Sequence, residues 1–284
     1  MKKTLLIISL LTISTLHAAA DSSFGVVLST SSPLQGDPVM VMFSNTSSTT
    51  LIKKVLYDKR PLGVFVYNKV PTAFLGIGLN EKIGEHTLSI YFIDNTVLQK
   101  TITVMKRQKE ELPLGIPKKL GGDTPKSGKK LLTALEKENA LLGNLKSNTK
   151  SLWSSRFLFP LKDTTVVDQY GYSRKTGGYT ISHLGTDFRA PTGTKVYSMN
   201  RGVARVVRIS PIYGKLVIVD HGLGLMTWYA HMSKIYVTQG QLVEQGKILG
   251  LSGETGYALA PHLHVSIRLN NISVDPMVFM NLLK

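Results

Sequence analysis

The chain has 284 residues, 43% of them hydrophobic, enough for about two domains with cores of their own. Lys and Arg number 34 against 18 Asp and Glu, a formal net charge of +16 spread along the chain, so no basic nucleic-acid arm stands out. Cysteine is absent, which excludes a disulfide framework, a thiolate zinc site, a cysteine nucleophile and a lipid-modified N-terminal cysteine.

Residues 1–20 have the pattern of a cleaved secretory signal. Lys2 and Lys3 precede an apolar run from Leu5 to Leu16, and Ala18, Ala19 and Ala20 supply small side chains for a signal peptidase. The run is too short for the roughly 20 apolar residues that a membrane-spanning helix needs, so no transmembrane anchor is expected after cleavage. Export to the periplasm or cell envelope, or full secretion, follows. Loss of Lys2 and Lys3 leaves a charge of +14 on a protein that meets no nucleic acid, and an anionic envelope polymer suits it better as a partner.

From residue 21 to 105, short alternating bursts predict a β-sandwich: Val39 to Phe43, Ile52 to Tyr57, Gly63 to Tyr67, Ala73 to Leu79, Thr87 to Phe92 and Thr101 to Met105. Its one histidine, His86, is expected to be an exposed strand-end residue. Residues 106–126 mix Lys106, Arg107 and Lys109 with Pro113 and Pro117, the composition of a solvated linker. Leu131, Leu132, Leu135, Leu142 and Leu145 recur at near-helical spacing, with Glu136, Lys137 and Glu138 between them. One amphipathic helix over 129–146 is predicted, its leucines packing on a neighbouring domain. Residues 153–284 return to glycine-punctuated strands at Lys195 to Tyr197, Val203 to Ile209, Leu216 to Val219 and Met226 to Tyr229, which makes the fold all-β, with two β domains and a helical linker (106–152).

The chemistry-bearing residues lie in this second domain. His183 and Asp187 are four apart, and His262 and His264 are two apart on a predicted strand. Side chains two apart on a strand share a face, so the second pair addresses one point while Leu263 turns to the core. A catalytic zinc takes three imidazole or carboxylate ligands and keeps a fourth position for water. His183, Asp187 and one histidine of the pair meet that need. The other would lie near the water as a base, and His231 is the natural candidate for a further imidazole.

The residues around these positions resemble the lysostaphin-type (LytM-like) zinc metallopeptidases that act on peptidoglycan. The likeness runs from about Gly171 to Pro276. It rests on His183-Leu184-Gly185-Thr186-Asp187-Phe188, Tyr213-Gly214, His221-Gly222-Leu223-Gly224, Tyr229-Ala230-His231-Met232-Ser233, Gly250-Leu251-Ser252-Gly253 and Pro261-His262-Leu263-His264. The resemblance implies Zn2+ held by His183, Asp187 and His264, with His231 and His262 as catalytic residues beside it. It implies hydrolysis of peptide stems and cross-links on an antiparallel β-fold with a barrel-sandwich-like core. The N-terminal sandwich resembles the immunoglobulin-like domains that precede such peptidases, and three uses are open to it: binding the wall or an envelope partner protein, spacing, or covering the groove. Val265 and Ser266 stand where many relatives have an aromatic residue and a glutamate. His221 is expected to hold a turn; Arg174 and Tyr179 either line the cleft or sit on an exposed loop. The alternative function is a non-catalytic wall-binding protein or regulator of another hydrolase. A secreted peptidase for glycine-rich protein substrates would use the same chemistry.

Overall fold

The computed structural model describes residues 25–44, 48–113, 115–176 and 178–283. The expected signal, residues 1–20, lies outside them. Among the described residues no helix is long and apolar enough to cross a membrane.

The first half of the chain forms two four-stranded antiparallel sheets. One has the order Gly25–Leu28, Pro38–Ser44, Val70–Gly76, Val64–Tyr67, and the other Arg60–Leu62, Ile52–Tyr57, Gly84–Phe92, Val97–Val104. Strand alternation turns Val39, Val41 and Phe43 of one sheet against Val55, Tyr57, Leu88 and Ile90 of the other, which gives the expected sandwich its core. Two strands are displaced from the sequence expectation. Pro71 and Thr72 already belong to the strand drawn there from Ala73, and Lys100 and Gln99 to the one drawn from Thr101, because pairing with a neighbouring strand carries polar edges into the ladder.

His86 corrects its expectation, because its side chain is only 8% exposed. The ring stacks on Tyr57 at 5.3 Å, and its two nitrogens face Asp58 Oδ2 at 2.8 Å and the Lys82 carbonyl at 2.7 Å. Burial lowers its pKa, but these two acceptors outweigh burial and the net shift is upward. The residue is a structural brace.

The second half is built on an eight-stranded sheet whose order is Val166–Asp168, Thr186–Arg189, His262–Leu269, Leu225–Met232, Gly214–Gly222, Gly202–Ser210, Leu242–Val243, with Ile272–Val274 pairing the far end of His262–Leu269. Lys195–Tyr197, Ile248–Leu251 and Lys234–Ile235 make a smaller sheet. Leu263, Val265, Ile267 and Leu269 face the core at 3% exposure or less, leaving His262, His264, Ser266 and Arg268 on the opposite face. A short helix missed in the sequence, Pro276–Leu282, starts where Asp275 accepts from the amides of Met277 and Val278.

The two halves share one apolar cluster. Phe65 and Phe74 of the sandwich meet Trp153, Phe157 and Phe279 of the second half, with ring centroids 5.1–6.0 Å apart. An interface of this kind resists the hinge motion expected of a small polar one. Next to it, Arg107 bridges Asp37 and Asp275 at 2.5 and 3.2 Å. The connecting segment is therefore not the solvated linker expected. Arg107 is held in that ion pair, Glu111–Pro113 adds a parallel strand to Ser173–Thr176, and Ile116 is buried.

The helix, α1, spans Pro125–Leu142, four residues earlier than expected at each end. Thr124 caps it by accepting from the Ser127 amide, Pro125 takes the first turn where no donor is needed, and Gly143 ends it. Leu131 and Leu142 pack against Ile218, Met226 and Trp228, which are buried on the face of the large sheet that carries His264.

Candidate metal centre

Strand pairing brings Asp187 directly opposite His264, and His264 opposite Ala230 on the other side. His183 precedes Asp187 by four residues across a tight turn. The result is a compact group. His183 Nε2 lies 3.1 Å from Asp187 Oδ1 and 3.1 Å from His264 Nδ1, and His264 Nδ1 lies 2.7 Å from the same oxygen. All three residues are buried.

Each of these atoms is aimed by a contact behind it. His183 Nδ1–H donates to the Gln169 carbonyl at 2.7 Å, which leaves Nε2 with its lone pair toward the group. Asp187 Oδ2 accepts from Arg174 Nη2 at 2.8 Å, and the same guanidinium also pairs with Asp168. Burial raises the Asp187 pKa, but His183 and His264 outweigh it and hold the carboxyl well below its usual range. Burial pushes His264 down to about 4, against the pull of Asp187. Two imidazole nitrogens and a carboxylate oxygen, mutually within about 3 Å, are the donor types and spacing that one divalent ion takes at about 2.0–2.2 Å. The residues fit a zinc ion.

His231 reaches this centre by a backbone device. The Leu225–Met232 strand slips in register against Gly214–Gly222 between Lys215 and Val217, so two residues oppose one. His231 sits there at φ +60°, and the bulge turns a side chain that alternation would send to the core toward the metal group. Its ring centroid lies 4.8 Å from that of His262 and 5.8 Å from that of His264. Nδ1–H donates to the Thr255 carbonyl at 2.8 Å, which leaves Nε2 unprotonated; burial, then His262, pushes the pKa down to about 3. His262 is held likewise, Nδ1–H on the Ala260 carbonyl at 2.8 Å, with Nε2 3.6 Å from Asp187 Oδ2. All five residues singled out in the sequence are thus in one place.

His221 is elsewhere. Its nitrogens face the Arg201 carbonyl and Thr227 Oγ1, both at 2.8 Å, and burial lowers its pKa to about 4. Thr227 passes the chain to the Tyr229 hydroxyl, which accepts from the Met199 amide, so His221 makes structural contacts as expected but ties strands together instead of holding its turn. Arg174 resolves toward the site, whereas Tyr179, opposite Thr176 at the hairpin end, is not part of the cavity lining.

Asp168 was not singled out in the sequence, and Tyr213, Gly185 and Gly214 stood there only as elements of the resemblance, without a role at the site. Asp168 is fixed only by pairing across to Asp187. Tyr213 places its ring 6.3 Å from that of His264. Gly185 is required because a Cβ there would lie 2.5 Å from His264 Cε1 and Nε2 and 2.6 Å from the Val265 carbonyl. Gly214 has a comparable role, since a side chain at its φ of +62° would meet the Thr255 backbone that orients His231. We expect Gly185→Ala to fold but to push His264 out of line and to weaken metal binding about 10–100-fold, measured by competition with a chromogenic chelator; unchanged affinity would show that His264 is not positioned by this contact.

Residues 181–276 match the profile of peptidase family M23. The chain is 44% identical over 95 residues to the peptidoglycan DD-endopeptidase ShyA of Vibrio cholerae, covering 34% of this chain and 22% of that protein. It is 35% identical over 119 residues to the DD-carboxypeptidase/endopeptidase Mpg of Neisseria meningitidis, covering 42% and 27%. The chain thus spans about a quarter of the length of these curated relatives. A solved structure from Pseudomonas aeruginosa, assigned to peptidase M23, superposes over 87% of this chain and 94% of its own with a TM-score of 0.63 at 24% identity, so the fold is shared across both halves.

Proposed function

We propose that this chain, whose residues 181–276 match the profile of peptidase family M23, is an exported zinc metallo-endopeptidase that hydrolyses the peptide cross-links of peptidoglycan. The observation that carries the reading is the convergence of His183 Nε2, Asp187 Oδ1 and His264 Nδ1, with His231 and His262 beside them. In this reading the first three are the zinc ligands and the last two the catalytic residues. The names of the relatives, which include peptidoglycan DD-endopeptidases, support the substrate class.

A zinc ion held by these three residues supplies Lewis acidity, which lowers the pKa of a water and polarises a peptide carbonyl. The protein's own groups do the rest. Arg174 orients Asp187 through Oδ2, while His183 and His264 hold its carboxyl ionised. His231 Nε2, unprotonated because Nδ1–H is committed to the Thr255 carbonyl, would take up the proton lost by the attacking water and then hand it to the leaving amine. His262, pinned through Nδ1 to Ala260, shares that work from the more open side of the site. Burial of the metal group keeps bulk water from competing for the ligands.

The reading takes residues 21–105 as an immunoglobulin-like domain, 106–152 as the connection with α1, and 153–284 as the peptidase domain, with localisation in the periplasm or cell envelope. Purified wall incubated with the zinc-loaded protein tests it. Mass spectrometry is expected to show cross-linked peptide dimers falling and the matching monomers rising; a fragment pattern identical to that without enzyme would contradict it.

A further inference from the structure

His183 is held differently from its two neighbours at the metal group. Asp187 and His264 sit on paired strands of the large sheet, whereas His183 lies just past Tyr179–Ser182, outside any strand. Its support comes from residues 169–172. The Gln169 carbonyl accepts from His183 Nδ1–H at 2.7 Å and the Tyr172 carbonyl from the His183 amide at 2.8 Å, while the Gly171 amide donates to the His183 carbonyl at 2.8 Å. The first bond selects which nitrogen faces the metal group, and the other two fix where the ring stands. One residue on, the Leu184 carbonyl accepts from the hydroxyls of Ser266 and Ser273 at 2.7 and 2.8 Å, both residues buried.

Tyr170 lies inside that supporting segment and points away from the metal, into the sandwich. It is 3% exposed, and its hydroxyl donates to the Ser273 carbonyl at 2.9 Å, so the serine that receives Tyr170 is one of the two that hold Leu184. The first half of the chain encloses the ring. Gly36 has a φ of +91°, and a Cβ there would lie 2.4 Å from Tyr170 Cε1. Arg107 sets its guanidinium 5.5 Å from the ring centroid and donates from Nε to the Gln35 carbonyl at 2.6 Å, in addition to its pairs with Asp37 and Asp275. The Asp275 amide closes the socket by donating to the Gly36 carbonyl at 2.7 Å.

The aromatic cluster around Trp153 already joins the two halves. The socket adds something that apolar adhesion does not need: a buried hydroxyl, an ion-paired arginine and a glycine at positive φ all converge on one tyrosine. That tyrosine follows directly on Gln169, the partner of His183 Nδ1.

We propose that Tyr170 is a positioning residue for His183, and that the sandwich, through Gly36 and Arg107, is part of the support of the metal centre. This use of the first half differs from binding, spacing or covering the groove. The proposal rests on His183 being a zinc ligand. With Tyr170 seated, residues 169–172 hold the imidazole ready; with it loosened, part of the binding free energy goes into ordering that segment.

Two variants of the full chain test it. Tyr170→Phe removes only the hydroxyl, and Gly36→Ala presses on the ring from the sandwich side. Each is expected to weaken zinc binding about tenfold in competition with a chromogenic chelator. The double variant should lose much less than the product of the two, because both act through one ring. Phe65→Leu is the control: it loosens the aromatic cluster, so the melting temperature should fall while zinc affinity stays within about twofold of wild type. Affinity within about twofold of wild type in the folded Tyr170→Phe and Gly36→Ala proteins would overturn the proposal. So would an equal loss in Phe65→Leu, which would trace the effect to general loosening. In the zinc-free proteins, amide exchange at Gly171 and His183 is expected to speed up at least about tenfold in Tyr170→Phe while Gly214–Gly222 stays protected; unchanged exchange would count against the proposal. Absence of zinc from this group in the wild-type protein would refute the metal assignment instead, and the exchange rates would still decide whether Tyr170 holds the segment.

Discussion

Replacing His264 by alanine is expected to remove both bound zinc and hydrolysis, and His183→Ala to do the same. In the proposed assignment each change deletes one of three ligands from a group whose atoms lie 2.7–3.1 Å apart, leaving two donors, too few to hold the ion. Metal content by plasma mass spectrometry should fall from one equivalent per chain to near none, with hydrolysis at background. Loss of affinity should exceed the 10–100-fold typical of removing a supporting contact. The histidine variants are cleaner than Asp187→Asn. Asp187 also neutralises Arg174, whose side chain is 14% exposed, and breaking a buried pair on one side costs about 3–5 kcal/mol. Metal lost with Asp187→Asn would thus be mixed with unfolding. An undiminished zinc content in the folded His264→Ala protein would remove that residue from the ligand set.

His231→Ala and His262→Ala are expected to keep zinc and lose turnover by about 10²–10⁴-fold, the usual contribution of a positioned acid–base group. Neither ring belongs to the group of three atoms; both stand next to it with one nitrogen tied to a carbonyl and the other turned inward. Because its pKa lies near 3, His231 is neutral through the ordinary working range, so no acidic fall in rate near pH 6 should trace to it. Its φ of +60° adds a control: alanine in the left-handed region costs roughly 1–2 kcal/mol, whereas asparagine tolerates that backbone, so His231→Asn should lose turnover with less loss of stability. Turnover within a factor of three of wild type in a zinc-replete, folded His231→Asn protein would exclude a proton-transfer role.

The two predictions draw on different depths of the sequence. The pairing of His262 and His264 on one face was legible, because strand alternation is a strict period of two and Leu263 between them is apolar. Ligand chemistry suggested their meeting with His183 and Asp187 across 75 residues or more, but only the family likeness chose His264 over His262 as the ligand; no local pattern encodes which strands become neighbours. His231 stands out by its surroundings, yet simple alternation would bury it, and only the slipped register at Lys215 to Val217 brings it to the site. Asp168 carries no local signal, and Tyr213 only that of the Tyr213-Gly214 element of the resemblance, since each matters through a partner distant in sequence. Gly185 did carry one, a glycine between two metal-directed residues, which became informative once His264 was known to lie against it. In the connecting segment, basic and proline-rich composition suggested solvent, but Arg107 found Asp37 and Asp275, and Glu138 found Arg208. Charge counts on one segment do not reveal partners on another. The helix began early because the Thr124-Pro125 cap outweighed the first leucine as a start signal.

Anomalous diffraction at the zinc edge from crystals of the zinc-loaded protein is the most direct measurement. We expect a single strong peak within about 2.0–2.2 Å of His183 Nε2, Asp187 Oδ1 and His264 Nδ1. A peak coordinated by His231 or His262 in place of one of these, or no peak at this group while zinc binds elsewhere, would contradict the metal assignment on which the proposed hydrolysis stands.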